Sequence, residues 1–304
     1  MYIVAASTIS HQPTFRNPGF SKQITALTPP STLISPDYNE FIPPLERRRM
    51  SDVMKMAIVC SIDCLEQTGL RTPDGIIVGT SMGCPIHTKK FLDKVAETGN
   101  GPLAPTSFIV STHNTIAGQV ALLLKNHSYN MTHTHGSLSF EQALTDGLLC
   151  IGDGYQNLLV GGADEEESTI YNMRRRIGKD PLHITCGASF FILSGNQSSN
   201  AIKLSGVRSY SLVESISHTI RNFLDSQNLS DENMDKVIFI SAHEKTGEEL
   251  KTIFGEEKLI DLLPLTGAWF TNAAFALHFA MDLWNSGENF FNILICKRFN
   301  KIIL

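Results

Sequence analysis

The chain has 304 residues, of which 42% are hydrophobic and 18% charged, and its formal net charge is −5. This composition is typical of a soluble globular protein with a large core, and the acidic balance argues against nucleic-acid binding. No apolar run approaches the length of a membrane span, and residues 1–6 lack the basic leader of a signal peptide. The six cysteines show no metal-ligand spacing. We therefore expect a reduced, cytoplasmic protein without a metal or cofactor.

Strands and helices alternate along the sequence, which predicts an α/β protein. A first strand is followed by a proline-rich surface excursion over residues 28–44. The other predicted strands are residues 75–79, 128–134, a run ending at 161–165, 188–193, its hairpin partner 201–209, 236–241, 291–296 and 301–304. The predicted helices are residues 51–68, 86–98, 115–125, 137–151, 212–227, 248–254 and 269–284.

The most informative stretch runs from Pro105 to Glu165. An apolar helix leads to the strand 128–134, a second helix begins near Ser137, and a buried strand closes with Gly161-Gly162. This order resembles the first half of a β-ketoacyl synthase of the thiolase superfamily. The resemblance implies a thiolase-like fold, a duplicated five-layer α/β/α/β/α architecture with a shortened second half. It divides the chain into an N-terminal half, residues 1–170, and a C-terminal half, residues 171–304.

Active members of that family carry a cysteine at the start of the second helix, where free N–H groups and the helix dipole stabilise a thiolate. Counting back from the later glycines places this position at Ser137, or at Gly136 or His135. None of the three is a cysteine. Cys150 lies near the far end of the same helix, about 20 Å away at 1.5 Å per residue. The resemblance therefore implies a homologue without its catalytic nucleophile.

Two interpretations remain open for the polar residues of this turn. Ser137 could carry an acyl group as an oxygen ester with His135 as the general base, or it could cap the helix with Glu141 in the first turn. His133 and His135 share one face of the predicted strand, as a metal pair would. Because no third ligand is evident, a packed or hydrogen-bonded pair is the favoured interpretation.

Two later segments resemble the histidine-bearing motifs of the family. Ile240-Ser241-Ala242-His243 resembles the segment that supplies one active-site histidine, so His243 is its counterpart. Residues 266–274 resemble the segment that supplies the second, but Ala268 stands at that position. The resemblance makes Gly267 and Phe270 plausible tunnel-wall residues, with core packing as the alternative for such residues.

Several short segments resemble a bacterial group of ketosynthase-like proteins from aryl polyene, flexirubin and dialkylresorcinol gene clusters. Members without the cysteine are similar to chain-length factors, which pair with an active ketosynthase and shape the far end of its acyl tunnel. The resemblance implies a ketosynthase partner in a heterodimer, or a second copy, with contact along residues 128–134, and an acyl carrier protein. The segments are residues 9–14, 47–50, 108–115 and 139–144.

The arginine triplets 47–49 and 174–176 allow two interpretations. They could form a docking patch for an acidic partner such as an acyl carrier protein, or they could be solvated or ion-paired surface turns. The second interpretation is the favoured one for each triplet.

A second functional interpretation comes from Gly79-Thr80-Ser81-Met82-Gly83, which satisfies the Gly-x-Ser-x-Gly pattern of an α/β-hydrolase after a strand. Asp164 and His243 follow in the order of a Ser–Asp–His triad. No His-Gly-Gly oxyanion segment precedes Ser81, which argues against this interpretation. The same glycine-flanked segment also resembles the strand end that precedes the core of condensing enzymes. A homodimeric structural or regulatory protein without acyl chemistry is the remaining alternative.

Overall fold

The protein is described by a computed structural model, which covers residues 1–99, 101–166, 172, 182–198, 201–210, 215–242, 244–287 and 292–298. Its strands are β1 Tyr2–Ile9, β2 Gly75–Gly79, β3 Tyr129–His133, β4 Asn157–Asp164, β5 Gly187–Ser194, β6 Ile202–Lys203, β7 Lys236–Ser241, β8 Leu259–Asp261 and β9 Ile293–Arg298. Its α-helices are α1 Pro44–Arg47, α2 Asp52–Thr68, α3 Pro85–Thr98, α4 Pro105–Ile109, α5 Thr115–Leu124, α6 Ser139–Gly152, α7 Ile216–Ser226, α8 Glu244–Phe254, α9 Leu263–Thr266 and α10 Ala273–Asn285.

A six-stranded mixed sheet with the order β3-β2-β4-β5-β1-β6 organises the first part of the chain. β2 is parallel to β3 and β4, whereas β5 is antiparallel to β4 and β1. The carboxyl ends of β1 to β4 and the start of β5 therefore lie at one edge of the sheet. In open α/β sheets, ligands bind outside the carboxyl ends of the strands, so a functional site is expected at this edge.

The two sheets and their helices form five layers. α2 packs on β1 and β5 over one face of the large sheet, with α5 beside it, while α6 and α10 cover the other face. α10 also contacts β7 and β9 of a parallel three-stranded sheet, β8-β7-β9, and α8 packs on the far side of β7 with α7 next to it. The predicted thiolase-like architecture with a shortened second half is therefore confirmed.

The burial pattern explains why the central strands form. Every residue of β2 and β5 is buried, as expected for strands covered by helices on both faces. The boundaries of α2 follow the predicted signals, because Ser51 occupies the N-cap position and Gly69 ends the helix with a left-handed φ of 68°. The apolar side chains of α2 form the largest part of the core on their side of the sheet.

Several elements differ from those predicted. Residues 201–209 do not form a hairpin with β5, because β5 already has β4 and β1 as neighbours; instead β6 pairs with β1. The last long helix begins at Ala273 rather than residue 269, and α4 was not predicted. The start of the predicted helix 212–227 and the predicted strand 301–304 lie outside the described residues. The predicted boundary after residue 170 falls between β4 and β5, neighbouring strands of one sheet.

In the part of the chain that the structure describes, no helix is both long and apolar enough to cross a membrane.

We expect Gly79→Ala to destabilise the fold. A Cβ at Gly79, the last residue of β2, would lie 2.5 Å from the carbonyl oxygen of Ser139 and 2.6 Å from the amide nitrogen of Phe140. The start of α6 would have to move, at a cost of about 1–3 kcal/mol in the free energy of unfolding, measured with urea. Gly118→Ala is the matched control, since nothing lies within 4 Å of a Cβ there and alanine favours a helix. Equal stability of the two variants would contradict this packing.

A second prediction concerns His278 of α10. Its Nδ1 lies 2.8 Å from Thr8 Oγ1 and its ring packs against Phe20, with 5.0 Å between ring centroids. Burial lowers the pKa of His278 to about 4, although Asp282 opposes the shift. Because the unfolded chain binds the proton near pH 6.5 and the folded chain does not, stability is expected to fall as pH falls from about 6.5 to about 4.

Urea unfolding of the wild type and His278→Gln at pH 7 and pH 4.5 tests this expectation. The variant should lose less stability on acidification, by a difference on the order of 2 kcal/mol. Parallel pH dependence in the two proteins would assign the acid sensitivity to other groups.

Candidate functional site

The turn between β3 and α6 holds the predicted nucleophile position. A single 3₁₀ turn, Gly136–Leu138, follows His135, and α6 starts at Ser139. Gly136 has a left-handed φ of 58°, and a Cβ built on it would meet no atom within 4 Å. The apex of the turn therefore faces open space with a backbone conformation that favours glycine.

Ser139, not Ser137, makes the hydrogen bonds that close this turn. The Ser139 hydroxyl accepts the His135 N–H at 2.8 Å and donates to the carbonyl oxygen of Gly136 at 2.8 Å. No side-chain cap comes from Ser137, which lies within the 3₁₀ turn. The predicted capping role of Ser137 is therefore wrong, and the reason is that the helix starts two residues later than expected.

The two histidines near the turn and Cys150 lie in different surroundings. His135 is exposed, and its ring centroid lies 6.2 Å from that of His133. His133 Nε2 instead lies 2.8 Å from Asp146 Oδ2, so the hydrogen bond predicted for this histidine is made with α6. Within the described residues, no group of three or more potential ligands could hold a metal ion. Cys150 lies in the last turn of α6, where burial raises the pKa of its thiol.

Asp164, at the end of β4, ties two loops together. Its Oδ1 accepts the Ser81 N–H at 2.8 Å and the Thr80 hydroxyl at 3.2 Å, and its Oδ2 accepts the Thr271 N–H at 2.9 Å and hydroxyl at 2.7 Å. Burial raises the pKa of Asp164, and these four donors oppose the rise. The carboxylate therefore joins the loop after β2 to the loop before α10.

This arrangement bears on the hydrolase interpretation. Among the described residues, both oxygens of Asp164 are engaged by the backbone of Ser81 and by residues 80 and 271. His243 lies outside the described residues. Ser81 itself is half-buried.

Glu165 follows Asp164 and binds two helix starts. Its carboxylate accepts the Ile86 N–H at 3.1 Å and the Val53 N–H at 3.4 Å, at the first turns of α3 and α2. A carboxylate is favourable at helix N-termini, where N–H groups lack partners within the helix. Consecutive acidic residues at the end of β4 thus connect elements on both faces of the sheet.

The loop before α10 places Ala268 at the predicted second-histidine position. Ala268 is buried; its N–H donates to the carbonyl oxygen of His183 at 2.8 Å, and its carbonyl oxygen accepts the Thr185 N–H at 3.3 Å. Gly267 has a left-handed φ of 67°, and a Cβ there would lie 2.5 Å from the Thr185 side chain. The loop is therefore held by backbone contacts with residues 183–185 and offers no titratable side chain at position 268.

Lys297 is a buried cation that the sequence analysis missed. Its Nζ donates to the carbonyl oxygens of Ser137 and Phe270, each at 2.5 Å, and lies 3.4 Å from Glu141 Oε1. Burial lowers the pKa of Lys297, while Glu141 opposes the shift. The lysine thus links the turn before α6 to the loop before α10. In the sequence, the only sign of a buried cation here is that a lysine directly follows the apolar residues of the predicted strand 291–296.

An apolar cavity of about 950 Å³ lies beside this lysine, between α6, α10 and β9. Gly267 and Phe270 are not among the residues that line it. Phe270 is half-buried, and the role of both residues in a tunnel stays a prediction. The lining includes Leu138, Phe140, Glu141, Leu144, Leu277, Met281, Ile295 and Lys297.

Removal of Lys297 should lower the free energy of unfolding, because the carboxylate of Glu141 is buried beside it. Lys297→Met leaves that carboxylate without its ion-pair partner, so we expect a loss of about 3–5 kcal/mol in the free energy of unfolding. Lys297→Met combined with Glu141→Leu should cost less than the sum of the two single variants, because both charges are then absent. Urea unfolding of the four proteins measures this coupling, and strictly additive losses would contradict the ion pair.

Several solved structures are similar to this chain. The ishigamide ketosynthase/chain length factor is 18% identical, with a TM-score of 0.79 over 97% of this chain and 95% of that one. A type II polyketide synthase acyl-carrier protein in complex with its ketosynthase gives 16% identity and a TM-score of 0.77 over 97% and 94% of the two chains. The ketosynthase ApeO in complex with its chain length factor ApeC, from Xenorhabdus doucetiae, gives 19% identity and a TM-score of 0.53, covering 64% of this chain and 78% of that one.

No functionally curated protein matches this chain in sequence. These structural likenesses establish the thiolase-like fold. Residues 29–219, more than half of the sequence, match the family described as Beta-ketoacyl synthase, N-terminal domain. The chain therefore belongs to the β-ketoacyl synthase family.

Proposed function

We propose that this chain is a chain-length-factor-like subunit that pairs with a cysteine-bearing β-ketoacyl synthase and shapes its acyl tunnel. The observation that carries the proposal is the turn before α6. The apex of this turn, next to a helix start, is the left-handed Gly136, and no residue of the turn carries a thiol. At the second histidine position, Ala268 supplies no acid or base. Such a subunit contributes no nucleophile to condensation.

The structural relatives support this assignment. Those named as ketosynthase and chain length factor share the fold of this chain, and one is a ketosynthase in complex with its chain length factor. Another relative is a ketosynthase in complex with an acyl-carrier protein. By analogy, we infer a ketosynthase as the partner and an acyl carrier protein as the donor of the acyl chain to that partner.

The edge of the large sheet is the inferred contact surface. β3 is an edge strand, and among the described strands only β2 pairs with it. Met131 of β3 is 39% exposed, Leu122 of α5 is 71% exposed and Leu149 of α6 is 64% exposed, on helices that pack against β3. An exposed strand edge flanked by apolar side chains is typical of a surface that another chain covers.

The cavity beside β9 could accept apolar acyl atoms, since most of its lining is aliphatic or aromatic.

The resemblance of the short segments supports a pathway of the aryl polyene, flexirubin or dialkylresorcinol type, in the cytoplasm. Arg48 and Arg49 are exposed between α1 and α2 and fit an acidic carrier protein, whereas residues 174–176 lie outside the described residues. The length of the acyl chain is set by the pair of subunits.

The test is co-expression with the neighbouring cysteine-bearing ketosynthase, followed by addition of acyl-loaded carrier protein and intact mass measurement of both chains. We expect a 1:1 complex with acyl mass on the active-site cysteine of the partner and none on Ser137 of this chain. Met131→Glu should weaken the complex at least about tenfold, because a charge on the contact strand costs about 1.4 kcal/mol or more. Leu45→Glu, a change at a 75% exposed residue of α1, is the control and should not weaken it.

Other outcomes would reject the proposal. Acyl mass on this chain that Ser137→Ala abolishes would favour a self-sufficient acyltransferase that uses Ser137. Failure to form a complex, with this chain folded as a homodimer, would favour the structural or regulatory alternative.

A further inference from the structure

A cluster of four polar residues lies at the edge of the sheet, away from the turn before α6. β1 and β5 are antiparallel, and Ile9 pairs with Ala188, so the residues just after β1 meet the residues just before β5. His11 and Cys186 are brought together in this way. Ser31 reaches them from the proline-rich excursion, which is anchored by the Ile34 N–H donating to the carbonyl oxygen of Ser10 at 2.9 Å.

The hydroxyl of Ser31 lies between two imidazole rings. Its Oγ is 2.7 Å from His11 Nδ1 and 3.0 Å from His183 Nε2. The two rings are nearly perpendicular, with 6.5 Å between their centroids. His11 is buried, whereas Ser31 and His183 are half-buried, so solvent can reach the serine and one of its two histidines.

The donors and acceptors in this cluster can be ordered. The Cys186 N–H donates to His11 Nε2 at 3.4 Å, so this nitrogen acts as an acceptor. A neutral His11 then carries its proton on Nδ1 and donates it to Ser31 Oγ. The proton of Ser31 can then point at His183 Nε2, which accepts it in the tautomer that carries its proton on Nδ1. Burial lowers the pKa of His11 to about 4 and also lowers that of His183, so both rings are neutral near pH 7.

The segment that carries His183 is fixed by backbone contacts. The carbonyl oxygen of His183 accepts the Ala268 N–H, and Ile184 forms a bridge with Ala268. Thr185 adds a hydrogen bond from its hydroxyl to the carbonyl oxygen of Thr266 at 2.7 Å. A base held on fixed backbone next to a serine hydroxyl is the arrangement that activates a nucleophile.

The geometry points to a second site, in which Ser31 is a nucleophile toward activated acyl groups, His183 is its general base and His11 is a positioning residue. Ser31 Oγ bonds to the carbonyl carbon of an ester or thioester, and the bond from that carbon to the leaving oxygen or sulfur breaks. The serine proton moves to His183 Nε2 and from there to the leaving oxygen or sulfur, which departs as an alcohol or thiol. The His11 N–H holds the Ser31 hydroxyl so that its proton faces His183 Nε2. This site goes beyond the proposed function and does not depend on it.

The experiment treats the full-length chain with an alkyl fluorophosphonate and locates the adduct by intact mass and peptide mapping. Attack by Ser31 forms an oxygen–phosphorus bond and releases fluoride. We expect one adduct, on Ser31, that is absent from Ser31→Ala and retained in Ser81→Ala and Ser137→Ala. An adduct on Ser81 or another serine, or no adduct on folded wild-type chain, would overturn the proposal without relying on any variant.

The roles of the two histidines need separate readouts. His183→Gln should lower the labelling rate about 10²-fold, the usual contribution of a general base. His11→Phe should lower the rate, and His11→Asn should restore it, because the asparagine amide can donate from the position of Nδ1. Thermal unfolding of each variant shows that it is folded. Equal labelling rates in His183→Gln and wild type, or no rescue by His11→Asn, would refute the assigned roles.

Discussion

The contact on which the site depends is the buried carboxylate of Asp164. It binds the loop after β2 through Thr80 and Ser81 and the loop before α10 through Thr271. Burying a carboxylate is unfavourable unless donors surround it, and here four donors do so. The two loops come from opposite halves of the chain, and this one side chain joins them. Lys297 makes a second link of the same kind between the turn before α6 and the carbonyl oxygen of Phe270.

Much of the fold could be predicted because periodicity and local signals agree with tertiary contacts. The bounds of β2 were predicted to the residue, and those of α3 and α5 to within one residue. Prediction failed where a distant partner decides the local structure. α10 starts only at Ala273, since Asp164 holds Thr271 in the preceding loop. β6 joins β1 because both edges of β5 are occupied.

The candidate site was less predictable for a physical reason. The position of the turn could be estimated from spacing along one segment, and the structure places Gly136 at its apex. Lys297 and the cluster around Ser31 are assembled from residues far apart in sequence, so no local pattern marks them. Only a sheet that aligns the ends of β1 and β5 brings His11 next to Cys186.

The left-handed backbone at Gly136 limits which residues this turn accepts without strain. A residue with a Cβ in that conformation carries about 1–3 kcal/mol of strain, which the rest of the fold would have to offset. Glycine has no Cβ and adopts this conformation without strain, so the rest of the fold does not have to offset any. On the proposed function, a cysteine introduced at residue 136 would therefore bring a thiol to this turn only at that cost in stability.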